Sequence, residues 1–204
     1  MGRPARRIEI RCGSRRAPTR GQKKVTDHQS GEKAVYRVRI NAPIETVWRT
    51  LVKTDEALPF FFGAVCKTRN GLNAGEPMAM RTKNGKFTSV VGKVLEFSPP
   101  HRYAHTLKFT NLDDAPVTVE YDLKEVDGGV DFTLTTLGAI PGSKTAGSMA
   151  QGGPYIVKTL KNIAETGRPG LGATLMLGMI GLMAPFTPKQ CASENWTFDA
   201  IERL

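Results

Sequence analysis

Polar and apolar positions alternate with period two over residues 35–40 (VYRVRI). Val35, Arg37 and Arg39 share one face and Tyr36, Val38 and Ile40 the other, the pattern of a half-buried strand. The NAP step at 41–43 breaks this alternation. Ile44, Val47, Trp48, Leu51 and Val52 then recur at helical spacing, predicting a short amphipathic helix with Pro43 in its first position and Asn41 close enough to cap it. A second short helix is expected from Thr54-Asp55 into the apolar block LPFFF at 58–62, stopped by Gly63. Strand-like segments follow at 64–68, 76–80, 87–97, 102–109, 117–126 and 130–138. Their connections (RNGLNAG, KNGK, SPPH, NLDDAP, DGG) are of hairpin length and rich in turn formers, so the sheet should be antiparallel and mostly meandering.

Beyond Ser143 the period changes. Ile156, Val157, Leu160, Ile163 and Ala164 mark a long helix, ended by Gly167 and then Pro169. The glycine-rich stretch 138–153 is expected to be a flexible link into it, with a mobile lid as the alternative. Residues 170–186, GLGATLMLGMIGLMAPF, carry no charge, but 17 residues with four glycines fall short of a span, which takes about 20 mostly apolar residues. They predict an apolar helix packed on the domain or on a second copy, making a homodimer through 170–186, with peripheral membrane contact as the other reading. The polar segment after it, with Trp196 and Phe198, suggests an extended clasp.

Charge refines this picture at one end only. Of the net +10, residues 1–33 hold ten Lys/Arg against three acidic residues, so the remainder is close to neutral. Such a segment buries too little apolar surface to offset its ordering entropy and is expected to be a disordered basic arm. It lacks the apolar core of a secretory signal, and nucleic acid enters only as a weak contact of this arm. Cys12, Cys66 and Cys191 are widely spaced, and His28, His101 and His105 form no HExxH pair, so neither a disulfide framework nor a metal site is expected. No phosphate-cradling glycine motif, nucleophile elbow or other cofactor signature is present, and no cofactor is expected.

Ala42, Pro43, Val47 and Trp48 open a pattern that continues through EFSPPHRYAHTL and DGGVDFTLTTLG and closes in LKNIAETGRP, with Leu160, Lys161, Glu165, Thr166 and Gly167. In this order the segments resemble the START-like helix-grip superfamily (SRPBCC), in the branch of activator of heat-shock-protein-90 ATPase homologues. The resemblance covers residues 34–169. It implies an α+β fold in which a curved antiparallel sheet wraps a long C-terminal helix, with residues 170–204 appended. It also implies an apolar cavity between sheet and helix and a protein of the stress-response kind, while the widely spaced cysteines suit reduced thiols in a cytoplasmic protein. Many relatives carry tryptophans where this chain has Pro59-Phe60-Phe61-Phe62 and Gly153-Pro154-Tyr155, so ligand identity does not carry over.

The function expected first is non-catalytic binding of a small hydrophobic or amphipathic ligand. The candidate cavity residues are Trp48, Phe60, Phe61, Phe62, Met80, Tyr103, His105, Leu107, Tyr121, Tyr155 and Leu160. Three consecutive phenylalanines exceed one helix face, so at least one should turn to the cavity or the tail. His105 shares a strand face with Tyr103 and Leu107, and its ordinary pKa of about 6.5 suits acid–base work. A cyclase- or hydratase-like enzyme using His105 and a tyrosine therefore stands as one alternative, and a co-chaperone-like interaction module as another.

Overall fold

In the computed structural model, residues 31–183 and 186–204 are described. The basic arm expected over 1–33, with Cys12 and His28, lies outside them except for its last three residues. Eight strands form one antiparallel sheet: β1 (Glu32–Ile40), β2 (Ala57–Leu58), β3 (Ala64–Thr68), β4 (Pro77–Arg81), β5 (Thr88–Ser98), β6 (Arg102–Phe109), β7 (Val117–Val126) and β8 (Gly129–Ala139). The order β1-β8-β7-β6-β5-β4-β3-β2 makes β2 to β8 a continuous meander, with β1 added at the β8 edge. The helices are α1 (Ile44–Leu51), α2 (Lys144–Thr166), α3 (Leu171–Met183) and α4 (Phe198–Glu202). This is the curled α+β helix-grip arrangement, with α2 laid across the concave face and packed against β1, α1 and β8.

Register shifts between Met80 and Arg81 and between Val94 and Glu96 bend the sheet, as an extra residue in one strand of a pair does. Gly92 allows a closer approach: a Cβ there would stand 1.8 Å from the backbone oxygen of Thr106. The concave face carries the core, including Ile40, Val94, Tyr103, Leu107, Phe132 and Leu134 against Ile156 and Leu160 of α2.

Three local expectations are corrected. The second short helix over 54–62 does not form; Asp55 takes a left-handed φ of 64° and its N–H bonds to the Cys66 carbonyl, so the chain turns into β2. Only a single 3-10 turn, Pro59–Phe61, follows. The link expected over 138–153 shrinks to 140–143: β8 runs to Ala139 and α2 begins at Lys144, where the Ser143 hydroxyl accepts the Ala146 N–H. One of its glycines answers a packing demand: a Cβ at Gly153 would lie 2.3 Å from the Tyr36 ring. The C-terminal clasp is two 3-10 turns and α4 rather than extended chain. It buries Ile201 against Ala79 and Val91 on the convex face, with Trp196 and Phe198 beside it.

The motif at the end of α2 has a physical role. Lys161 donates to the Arg39 carbonyl at 2.7 Å, and Glu165 accepts the Asn41 N–H at 2.6 Å and pairs with Lys161. Asn41 is thus held by α2 and does not cap α1, whose first turn starts from the Pro43 carbonyl. These bonds hold the Glu165 carboxyl below its ordinary range, the Asn41 N–H first among them. Gly167 then closes α2 in the left-handed conformation.

Candidate functional site

Between the sheet, α2 and α3 lies a cavity of about 980 Å³. Its floor is the concave face at Val90, Leu107, Val119, Tyr121 and Leu134; α2 contributes Met149, Gly152, Tyr155 and Ile156. Phe61, Phe62 and Gly63 form one side wall, and Met176, Leu177, Ile180 and Gly181 of α3 another. The β4–β5 loop closes the rim with Thr82, Lys83 and Asn84.

The Phe61–Phe62 wall is set by backbone geometry. Phe62 takes a left-handed φ of 54°, rare for a residue with a Cβ, and its ring is turned back to stack on Tyr155 with centroids 4.6 Å apart. Tyr155 is anchored by its hydroxyl, which donates to the Pro59 carbonyl at 2.9 Å. Gly152 leaves room for the Phe62 ring, and Leu177 of α3 packs where a side chain on Gly63 would stand.

Of the candidate residues, Phe61, Phe62, Leu107, Tyr121 and Tyr155 lie in the cavity wall. Trp48, Phe60, Met80, Tyr103, His105 and Leu160 are buried in the core outside it. Trp48 of α1 packs on Phe97, and Leu160 is fully buried in the core. Sequence reasoning did not name Val119, Leu134, Met149 and Gly152, nor the α3 residues. Val119 lies on the same face of β7 as Tyr121, and Leu134 is paired with Tyr121 across to β8; for Gly152, the paired glycines 152 and 153 were the signal for a close approach on α2.

His105 is fully buried in an aromatic cluster, 5.1 Å from the Tyr103 ring centroid and 5.8 Å from that of Tyr121. Its Nδ1 is 2.8 Å from the Thr106 carbonyl, which fixes Nδ1 as the protonated nitrogen and leaves Nε2 an acceptor. Burial pushes the imidazole down to about 4, so it is neutral at pH 7. Burial likewise raises the Tyr103 and Tyr121 phenols and pushes the Cys66 thiol up to about 12. Of this cluster only Tyr121 lines the cavity. Among the described residues, no group of three or more His, Cys, Asp or Glu gathers to hold a metal.

A family model described as activator of Hsp90 ATPase homolog 1-like protein matches residues 41–165. The chain belongs to this family. Its match runs from Asn41 to Glu165, the two residues that close the helix onto the β1–α1 corner. Among solved structures, the Aha1 dimer from Colwellia psychrerythraea is similar at 16% identity and TM-score 0.54, over 67% of this chain and 98% of that one. A protein from Mesorhizobium loti is 20% identical at TM-score 0.54, over 65% of this chain and 96% of that one. CalU16 from Micromonospora echinospora is 19% identical at TM-score 0.53, covering 73% and 83%. At these identities the likeness is one of fold. No curated protein matches significantly. Among the described residues, no helix is long and apolar enough to cross a membrane.

Proposed function

We propose that this member of the family binds a small hydrophobic or amphipathic molecule, without chemical conversion, in the cavity between sheet and α2. The observation that carries the reading is the cavity itself: about 980 Å³, within the range of small-molecule sites, walled mainly by aliphatic and aromatic side chains. The phenols of Tyr121 and Tyr155 and the polar rim at Thr82, Lys83 and Asn84 suit a ligand with an apolar body and one polar end.

Gly152→Met tests it. The glycine is helical, buried and in the cavity wall, and a Cβ there meets only the Phe62 ring at 3.6 Å, so the new side chain enters the cavity without disturbing the backbone. A thermal-shift screen of lipids and aromatic metabolites should find a ligand that stabilises the wild type, by about 2.7 kcal/mol at 100 times its dissociation constant. The variant should lose at least about tenfold in affinity while unfolding at an unchanged or higher temperature. Equal affinity in both proteins would move the ligand out of this cavity, and a screen without a stabilising compound would end the reading.

A co-chaperone-like interaction module is the second reading, supported by the family match over 41–165. It requires that the purified chain raise the ATPase rate of a chaperone of the Hsp90 class, and an unchanged rate would remove it.

A further inference from the structure

The helix α3 covers one side of the cavity mouth with Met176, Leu177 and Ile180 but leaves much of its apolar surface in solvent. Leu171 is 91% exposed, Leu175 70%, Met179 60% and Leu182 79%, and Phe186 just beyond the helix is 82% exposed. A contiguous patch of this kind on a folded domain marks a surface that something else covers. The charges beside it indicate what. From 169 to 188 the chain has no ionisable side chain, so α3 offers nothing to complement them. Lys83 stands at the same cavity mouth as Met176 and Ile180. Lys86 is on the same loop, which is tied to the C-terminal turns by the Ser193 N–H to Lys86 carbonyl bond and by the Phe87–Ala192 bridge. Lys189 opens those turns. All three lysines are exposed and none has an ion-pair partner among the described residues; Glu194 is the one carboxylate in the turns.

We propose that α3 and the lysines beside it form a docking surface for an anionic lipid interface, with the cavity mouth turned toward the lipid. At 13 residues α3 is about 20 Å long, against a hydrocarbon core of about 30 Å, so it lies in the interface and does not span it. Its lack of a polar face suits this role: one side is taken up by the protein, the other enters the acyl boundary, and neighbouring elements supply the basic rim that an isolated interfacial helix carries itself. A second copy fits less well. A two-fold interface sets a patch against itself, which brings lysine toward lysine with no acidic residue on α3 to separate them. The proposal does not depend on the ligand reading, because docking needs the outer face of α3 and not an occupied cavity.

The test is flotation of the full chain with vesicles of phosphatidylcholine alone and of phosphatidylcholine with phosphatidylserine. The chain should float with the anionic vesicles, and less so as salt rises. The double variant Leu175→Glu/Met179→Glu should reduce the partition coefficient at least about tenfold with an unchanged unfolding midpoint, since both residues are exposed and outside the cavity wall. Replacing Lys83, Lys86 and Lys189 by Gln should cost about fivefold per lysine on anionic vesicles. Three results overturn the proposal. The wild type floats with neither vesicle; the glutamate variant floats as well as the wild type, so that the basic arm alone does the binding; or the wild type is a dimer that the glutamate variant dissolves while lipid is ignored.

Discussion

Gly92→Ala is expected to lose about 3 kcal/mol or more of unfolding free energy, a large cost for one methyl group. The new Cβ would lie 1.8 Å from the Thr106 oxygen and 2.7 Å from its carbonyl carbon, and both belong to the backbone of β6. Neither side can swing away as a side chain tip would. Lys93 already departs from the regular ladder here, its N–H bonding the Thr106 hydroxyl at 2.8 Å. Relief therefore requires prising β5 from β6 where the sheet curls. Val90 and Leu107 in the cavity floor flank this contact, so ligand affinity should fall along with stability. Gly147→Ala is the matched control. It is exposed on α2 with nothing within 4 Å of the added Cβ, and should gain about 0.5–1 kcal/mol from helix propensity. Urea unfolding followed by circular dichroism measures both. A Gly92→Ala protein within about 0.5 kcal/mol of wild type would show that the strands separate freely there.

The second large effect is on pH dependence. His105 has its folded pKa depressed to about 4, against an ordinary value of 6.5. As pH falls below 6.5 the unfolded chain takes up the proton while the folded one does not, so stability is full above 6.5 and drains away down to about 4. The total is on the order of 3 kcal/mol, at a slope approaching 1.4 kcal/mol per pH unit. His105→Phe keeps an aromatic ring between Tyr103 and Tyr121 but cannot ionise. The loss of unfolding free energy between pH 7 and pH 4.5 should be about 2 kcal/mol or more larger in the wild type than in this variant. Carboxylates with lowered pKa, such as Glu165 and Asp114, contribute equally to both proteins and cancel in the comparison. Parallel curves would mean that the imidazole titrates normally in the folded protein. His105 is also not one of the residues that line the cavity, whereas its neighbours Leu107 and Tyr121 are.

Local pattern determined a good deal of this molecule. Alternation in VYRVRI placed Tyr36, Val38 and Ile40 on one face of β1, and that is the face packed against the core. The helical spacing of Ile156, Leu160 and Ile163, with Gly167 after them, fixed the second half of α2 and its end, because cap and period are properties of neighbouring residues. The opening and closing motifs named the family, and the tertiary structure joins their two ends: the Asn41 N–H, just before the first motif, donates to Glu165 in the second. Other features were decided only by contacts distant in sequence. Gly152 and Gly153 argue for a loop when read locally, yet both are helical: at Gly153 the Tyr36 ring occupies the space a side chain would need, and Gly152 lies in the cavity wall in contact range of Phe62. The turn at Asp55 depends on a hydrogen bond to Cys66, and the expected helix gave way to it. The cavity wall is the sharpest case. Tyr103, His105 and Leu107 are equivalent by alternation, but Leu107 meets open space while His105 is sealed in an aromatic cluster, because the lie of α2 and α3 decides which part of a concave face stays uncovered. Sequence could say which side of a strand is apolar; only the packed helices determine where the apolar side is left without a neighbour.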